Sequence, residues 1–340
     1  MKHLFNLFAI AFLLGLMACN SDKQQEVNVY THRHYDVDKQ LFNQFTSETG
    51  IQVNVVKASA DELINKLAQE GENSPADLLI TVDVARLEKA KNQGLLQNIS
   101  STTLQKNIPQ DLRDQAGSWF AQTIRGRVIA YSKKRVDSSL LSTYEALTDT
   151  MWRGRILVRS SSNIYNQSLL ASIIEANGEE KALEWAQGMV ANFARTPKGN
   201  DRDQVKAIAA GEGDLAIINT YYLGKLLNSD NPAELAAGEA VNLFFPNQNG
   251  RGTHVNISGA GVTKHAPNRK NAVRLLEFLS EKEAQSVFAA ANYEYPVHPE
   301  VAPSELLNSW GGFKADTESL KKLSTHSQTA VKLFDQAGWQ

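Results

Sequence analysis

Several tyrosines of this sequence lie at predicted turns between a strand and a helix, rather than inside apolar runs. They are Tyr35, which follows His34, the single Tyr165, and the adjacent pair Tyr221 and Tyr222. A tyrosine at such a turn is expected to bury little surface, so packing explains it poorly. A phenol oxygen directed into a cleft explains it better. Several phenol oxygens that converge on one point indicate a hard, highly charged cation such as Fe³⁺.

Motifs of catalysis are absent from the sequence. It contains no H-E-x-x-H, no G-x-S-x-G and no phosphate-binding glycine loop. The segment Gly259–Gly261 lies inside a predicted strand and indicates close packing of the backbone. The 35 basic and 37 acidic side chains give a net charge of −2 without a basic stripe, which argues against nucleic acid as a partner. These features favour a binding protein over an enzyme.

The N-terminal residues form a separate segment. After a short basic start, the apolar run Leu4–Met17 is too short to span a bilayer comfortably and is typical of a signal peptide. Residues 16–19 resemble a bacterial lipoprotein box, and Cys19 is the only cysteine of the chain. We therefore expect residues 1–18 to be a signal peptide, Cys19 to carry the lipid, and residues 19–26 to be a tether. The protein would then lie at the periplasmic face of a membrane, held by its lipid alone and without an internal disulfide.

The elements that position the tyrosines begin after this tether. In the first part, predicted strands at 27–30, 51–56 and 76–82 alternate with predicted helices at 37–49, 59–69 and 84–93. Repeated strand–helix units indicate a parallel sheet that is covered on both faces. Ligands of such folds bind beyond the carboxyl ends of the strands, which is where Tyr35 falls.

A second set of elements follows from about residue 122. Strands are predicted at 127–131, 156–158, 213–218, 241–245 and 253–262. Helices are predicted from just after Tyr165 to residue 176, at 179–193, at 203–210 and from residue 272 onward. The pattern predicts an α/β clamshell of two lobes, each a mixed sheet flanked by helices, with the ligand cleft between them. We expect residues 27–121 and 250–297 to form the N-terminal lobe, and residues 122–249 and 298–340 to form the C-terminal lobe.

Four segments resemble a known family. They are Tyr-Thr-His-Arg-His-Tyr at 30–35, Gly-Asn-Asp-Arg-Asp-Gln at 199–204, the run ending in Asn-Thr-Tyr-Tyr at 213–222, and Asn-Tyr-Glu-Tyr-Pro-Val at 292–297. The chain resembles the ferric-iron solute-binding proteins of ABC transporters, in the branch that holds iron with one histidine and four tyrosines. The resemblance runs from about Val27 to the end of the globular part. It implies a periplasmic-binding-protein fold, Fe³⁺ as transported cargo, an ABC permease and its ATPase as partners, a monomer, and no enzymatic activity.

The resemblance also implies the ligands of the metal. They are His34 and Tyr35 from the first lobe, and Tyr165, Tyr221 and Tyr222 from the second. Four phenolates, a neutral imidazole and Fe³⁺ sum to a single negative charge, so a nearby cation would stabilise the complex.

Two arginines are our candidates for that cation. Arg127 and Arg202 both lie in segments expected to face the cleft. Arg33 is adjacent to the ligands in sequence, but neighbouring residues usually point in opposite directions, so we expect its side chain to face away.

Two alternatives remain open at the level of the sequence. One is a clamshell that binds a small organic cation such as a polyamine, with the tyrosines forming an aromatic box and carboxylates opposite them. The other is a surface redox enzyme that uses the same iron. A coloured protein that bleaches with a chelator or a reductant would separate the carrier from the polyamine-binding protein.

Overall fold

The computed structural model describes residues 25–33 and 35–340. The predicted signal peptide and Cys19 lie outside the described residues, and so does His34. Within the described part of the chain, no helix is both long enough and apolar enough to cross a membrane.

The described chain alternates strands and helices. The strands are β1 (Glu26–Thr31), β2 (Gln52–Lys57), β3 (Leu78–Val82), β4 (Phe120–Ser132), β5 (Ile156–Leu157), β6 (Leu215–Asn219), β7 (Val241–Phe244), β8 (Thr253–Val262), β9 (Tyr295–Pro296) and β10 (Ala315–Asp316). The helices are α1 (Asp36–Thr49), α2 (Ala60–Glu70), α3 (Val84–Asn92), α4 (Thr102–Asn107), α5 (Ile164–Asn177), α6 (Glu179–Ala191), α7 (Asp201–Ala209), α8 (Thr220–Leu227), α9 (Pro232–Glu239), α10 (Arg269–Ser280), α11 (Lys282–Asn292), α12 (Glu305–Ser309) and α13 (Leu323–Ala337).

The sheet is mixed rather than wholly parallel. Its strand order is β2-β1-β3-β8-β4-β6-β5. Strands β1, β2 and β3 are parallel to one another, as the repeated strand–helix units predict. Strand β8 is antiparallel to β3, and β4 is antiparallel to both β8 and β6. The predicted mixed sheet is therefore confirmed, with β8 and β4 antiparallel because these strands do not belong to strand–helix–strand units.

Strand β4 connects the two lobes of this α/β fold. Its first part, Phe120–Gly126, pairs with β8 beside β1 and β3 of the first lobe. Its second part, Arg127–Ser132, pairs with β6 and β7 of the second lobe. One continuous strand thus belongs to both lobes, and the predicted two-lobed architecture is confirmed.

Helix boundaries follow from local sequence signals. Helix α1 ends at Gly50, whose φ of 72° lies in the left-handed region that glycine adopts without a steric penalty. Helix α2 begins with the predicted capping box, in which the Ser59 hydroxyl accepts from the Glu62 amide and the Glu62 carboxylate accepts from the Ser59 amide. Helix α7 begins at Asp201, two residues before the predicted start, because Asn200 caps it through a second box with Asp203.

Two glycines of β8 allow the central strands to pack closely. A Cβ atom at Gly261 would lie 2.5 Å from the carbonyl oxygen of Ser118, and one at Gly259 would lie 2.8 Å from that of Phe120. Both contacts are with backbone atoms, which cannot move aside as a flexible side chain can. The structure confirms the predicted close backbone packing at these glycines.

We predict that Gly261→Ala lowers the free energy of unfolding by about 1–3 kcal/mol, as overpacking of a well-packed core does. Urea unfolding of the two proteins measures the difference. Gly126→Ala in the neighbouring strand is the matched control, because its Cβ would meet only side-chain atoms, at 3.4 Å or more. Equal losses of stability in the two variants would contradict the packing argument.

Candidate metal centre

Each described tyrosine of the predicted ligand set lies at the start of a helix. Tyr35 immediately precedes α1, and Tyr165 is the second residue of α5. Tyr221 and Tyr222 are the second and third residues of α8, directly after β6. These positions are those that the sequence predicts. The amide groups of the first helical turn and the helix dipole make each of these sites favourable for negative charge.

The structure brings these tyrosines together around one cavity of about 260 Å³. The residues that line it from the first lobe include Tyr35, which follows β1, and Val82, which is the last residue of β3. The remaining tyrosines reach it from α5 and α8, which follow strands β5 and β6 of the second lobe. The cavity therefore lies between the lobes, beyond the carboxyl ends of their parallel strands. The tyrosines that line it are Tyr35, Tyr165, Tyr221 and Tyr222.

The phenol groups are in mutual contact. The hydroxyl oxygens of Tyr165 and Tyr221 lie 3.3 Å apart. The rings of Tyr221 and Tyr222 are stacked with centroids 4.2 Å apart, and the Tyr35 ring meets Tyr221 edge-on at 6.5 Å. Tyr221 is 2% exposed. The premise that tyrosines at these turns bury little surface is thus wrong for Tyr221, because the rings cover one another.

Burial keeps the phenols of Tyr35, Tyr221 and Tyr222 protonated when no metal is bound. It raises the pKa of Tyr35 and of Tyr221 well above that of a free phenol, and the pKa of Tyr222 to about 12. The second cause of the raised pKa of Tyr221 and Tyr222 is the nearby Tyr165, since two phenolates would repel each other. A cation of high charge is needed to displace the protons at neutral pH.

Cationic side chains face the same cavity. Arg33 lines it, with its guanidinium 4.9 Å from the centre of the Tyr35 ring. The buried guanidinium forms ion pairs with Asp38 at 3.1 Å and with Glu294 at 3.5 Å. The expectation that Arg33 faces away is therefore wrong. The chain leaves β1 at Thr31, so the alternation of side chains in a strand no longer applies.

Lys225 is a second cation that the sequence reasoning missed. It lies one turn after Tyr221 in α8, and its ammonium is 4.3 Å from the Tyr35 ring centre and 5.3 Å from that of Tyr221. Burial lowers the pKa of Lys225, and the nearby Arg202 and Arg33 lower it further. Its spacing of i, i+4 from Tyr221 on one helix is the signal that could have identified it.

The two predicted arginines occupy different places. Arg202 lines the cavity directly. Arg127 lies behind Tyr165, 5.8 Å from the ring centre, where it is buried and paired with Asp201 at 2.7 Å.

Two further guanidinium groups lie near the Tyr165 ring. Those of Arg125 and Arg159 are 5.3 and 5.5 Å from its centre. Arg125 is two residues before Arg127 on β4, so both side chains share one face of the strand. This spacing could have identified Arg125 if the strand had been predicted to start before residue 127.

The donors of this centre are not those of a common metal site. Among residues 25–33 and 35–340, no group of three or more histidine, cysteine, aspartate or glutamate side chains could hold a metal ion. The phenol oxygens line this cavity instead, and oxygen donors of this kind suit a hard trivalent ion. His34, the remaining predicted ligand, lies outside the described residues, between two that line the cavity.

Comparison with known proteins identifies a family whose model matches this chain. The model of the family described as bacterial extracellular solute-binding proteins matches residues 73–310. The sequence is 52% identical to iron uptake protein A1 of Synechocystis sp., over 94% of this chain and 88% of that protein.

Solved structures share the fold over nearly the whole chain. One is described as Trichodesmium IdiA (FutA) in complex with iron and citrate ligands; it has a TM-score of 0.89 and 49% identity, over 93% of this chain and 100% of the other. The ferric binding protein from Campylobacter jejuni has a TM-score of 0.87 and 42% identity, over 92% of this chain and 100% of that one.

The raised pKa of Tyr222 predicts how the stability of the metal-free protein depends on pH. The folded state holds this proton up to about pH 12, whereas a free phenol releases it at about pH 10. The resulting stabilisation is complete below about pH 10 and is lost as the pH rises to about 12. We expect Tyr222→Phe to show a shallower fall of the unfolding free energy over this range. Urea unfolding at a series of pH values measures it, and identical slopes for the two proteins would contradict the prediction.

Proposed function

The chain belongs to the bacterial extracellular solute-binding protein family, and from this premise we propose that it captures Fe³⁺ between its lobes for an ABC importer. It delivers the ion to an inner-membrane permease driven by the transporter's ATPase. The observation that carries this proposal is the convergence of Tyr35, Tyr165, Tyr221 and Tyr222 on one cavity between the lobes.

The proposed ligands are these four phenolates together with the imidazole of His34. Fe³⁺ displaces the phenol protons, because the charge of the ion outweighs the burial that otherwise retains them. The helix starts at Tyr35 and at Tyr221 favour the negative charge that results. Iron uptake and proton release are therefore coupled.

The cations around the cavity offset the net negative charge of the proposed complex. Arg33, Arg202 and Lys225 line the cavity, and Arg127 supports Tyr165 from behind. Positive groups at these distances stabilise phenolate more than phenol, so they favour the loaded form. We extend the proposed charge-compensating role from Arg127 and Arg202 to Arg33 and Lys225.

The same cations argue against a polyamine as the cargo. A site for an organic cation needs carboxylates opposite the aromatic rings, and the described lining of this cavity contains none. Lys225 and two arginines occupy those places instead. Repulsion from these groups would weaken the binding of any ammonium ligand.

We propose a carrier rather than an iron enzyme. A catalytic metal usually keeps an open coordination position, whereas five protein donors close the site. Because the donors come from both lobes, binding of the ion and closure of the lobes are one event, and release requires opening. We propose the lobes predicted from the sequence, except that residues 122–126 pair with β8 and so belong to the sheet of the first lobe. Packing of α13 against α5 and α6 supports the assignment of the C-terminal residues to the second lobe.

Substitution of Tyr222 tests the cargo and its ligands together. We expect protein purified without added metal to contain iron and to absorb visible light, and Tyr222→Phe to bind Fe³⁺ at least about 100-fold more weakly. Loss of groups that only support a ligand already costs about 10–100-fold. Elemental analysis and competition with a chelator measure both quantities.

Tyr131→Phe is the matched control for this substitution, since Tyr131 of β4 lies outside the described lining of the cavity. It should retain the affinity of the unmodified protein. Unchanged iron affinity in both Tyr221→Phe and Tyr222→Phe would end the ligand assignment.

The family places the protein in the periplasm, and we propose that a lipid on Cys19 holds it at the membrane. Labelling of cells with radioactive palmitate should mark the unmodified protein and leave Cys19→Ser unmarked. The variant should also stay unprocessed or appear in the soluble fraction. Persistent labelling of the variant would contradict the lipid anchor.

A further inference from the structure

Asp83 has an unusual backbone conformation between strand β3 and helix α3. Its φ is 81° and its ψ is 119°, in a region that residues with a side chain rarely adopt. The residue is fully buried. Strain of this kind persists only where the surrounding contacts determine the conformation, and it is concentrated at functional sites.

The Asp83 carboxylate accepts three hydrogen bonds. Its Oδ1 atom accepts from the amide of Ala85 at 3.0 Å and so caps α3. Its Oδ2 atom accepts from the Ser168 hydroxyl at 2.6 Å and from the side-chain amide of Asn256 at 2.7 Å. Short bonds to a buried carboxylate are among the strong ones in proteins.

The bond to Ser168 joins the two lobes. Asp83 follows β3 of the first lobe, and Ser168 belongs to α5, which follows β5 of the second. Ser168 is 3% exposed and lies three residues after Tyr165, on the same side of the first turns of this helix. The position of Ser168 therefore constrains the backbone that carries Tyr165.

The contact between Asp83 and Asn256 lies beside the strand that connects the lobes. Asn256 lies on β8 opposite Arg125 of β4, next to the point where β4 changes its partner strands. Asn256 and Asp83 both belong to the first lobe and are also joined through the amide of Val84, which donates to the Asn256 side chain at 2.9 Å. The bond between Asp83 and Asn256 therefore lies within the first lobe, whereas the bond to Ser168 crosses to the second.

We propose that Asp83 is a positioning residue that holds the start of α5, and with it Tyr165, in the place required for binding when the lobes close. Opening of the lobes breaks the bond to Ser168 and frees Tyr165 to leave the metal. The bond thereby lengthens the time for which the cargo is retained. This inference rests on the proposed function, since it concerns the release of Fe³⁺.

The test compares two serines of the same helix. Ser168→Ala removes the hydroxyl that crosses between the lobes. Ser172→Ala, one turn later, is equally buried but removes a hydroxyl that donates to the Leu169 carbonyl of its own helix. Loss of a hydrogen bond to a buried charged group should speed the transfer of Fe³⁺ from full-length loaded protein to excess EDTA by about tenfold in Ser168→Ala. Ser172→Ala should release iron at the rate of the unmodified protein.

The visible absorption band of the iron–phenolate complex gives an independent measurement. A displaced Tyr165 oxygen changes the energy of this band, whereas a general loss of stability does not. We expect a shifted band in Ser168→Ala and an unshifted band in Ser172→Ala. Equal bands and equal release rates in these two variants would overturn the inference.

Asp83→Asn supplies the second half of a double-mutant cycle. The substitution keeps the size of the side chain, but it removes the charge that strengthens the bond from Ser168 and leaves one acceptor oxygen instead of two. If the two residues act through their shared bond, Ser168→Ala has a smaller effect on release when it is combined with Asp83→Asn than when it is made alone. Additive effects would overturn the inference, while unmodified protein that binds no Fe³⁺ would instead overturn the proposed function.

Discussion

The crowding of phenol groups around one cavity is the constraint on which the structure depends. Tyr165 and Tyr221 touch through their oxygens, and Tyr221 is stacked on Tyr222. Neutral phenols tolerate this arrangement, but phenolates would repel one another unless a cation lies between them. Under the proposed function, the site therefore has two stable forms: protonated and metal-free, or ionised around a highly charged ion. Partial ionisation without metal is disfavoured.

The surrounding structure serves both forms of the site. Helix starts supply fixed dipoles at three places, and buried arginines supply charge that does not depend on pH. Arg33 is itself held by Asp38 and Glu294, and Arg127 by Asp201. These carboxylates keep the cations in place when the phenols are neutral. Charge is thus arranged before the cargo arrives, and these arginine side chains need little rearrangement when the lobes close around it.

The sequence indicated most of the helices, the two lobes and the tyrosines at helix starts, because capping residues and apolar runs report local structure. It indicated less of what lies around the tyrosines. The first part of β4 carries buried polar residues such as Thr123 and Arg125, so its pattern does not resemble a strand and its arginine was missed. Arg33 was misassigned because the strand ends before it. The bond between Asp83 and Ser168 joins residues 85 positions apart, and such a pair leaves no trace in a local pattern.

The sharing of β4 between the lobes has a consequence for the integrity of the molecule. Neither lobe is an autonomous fragment, since each depends on one part of a single strand to complete its sheet. Cleavage of the chain within β4 would expose unpaired backbone on both pieces, and such edges promote aggregation. One lobe therefore cannot be exchanged for that of another protein without also matching this strand.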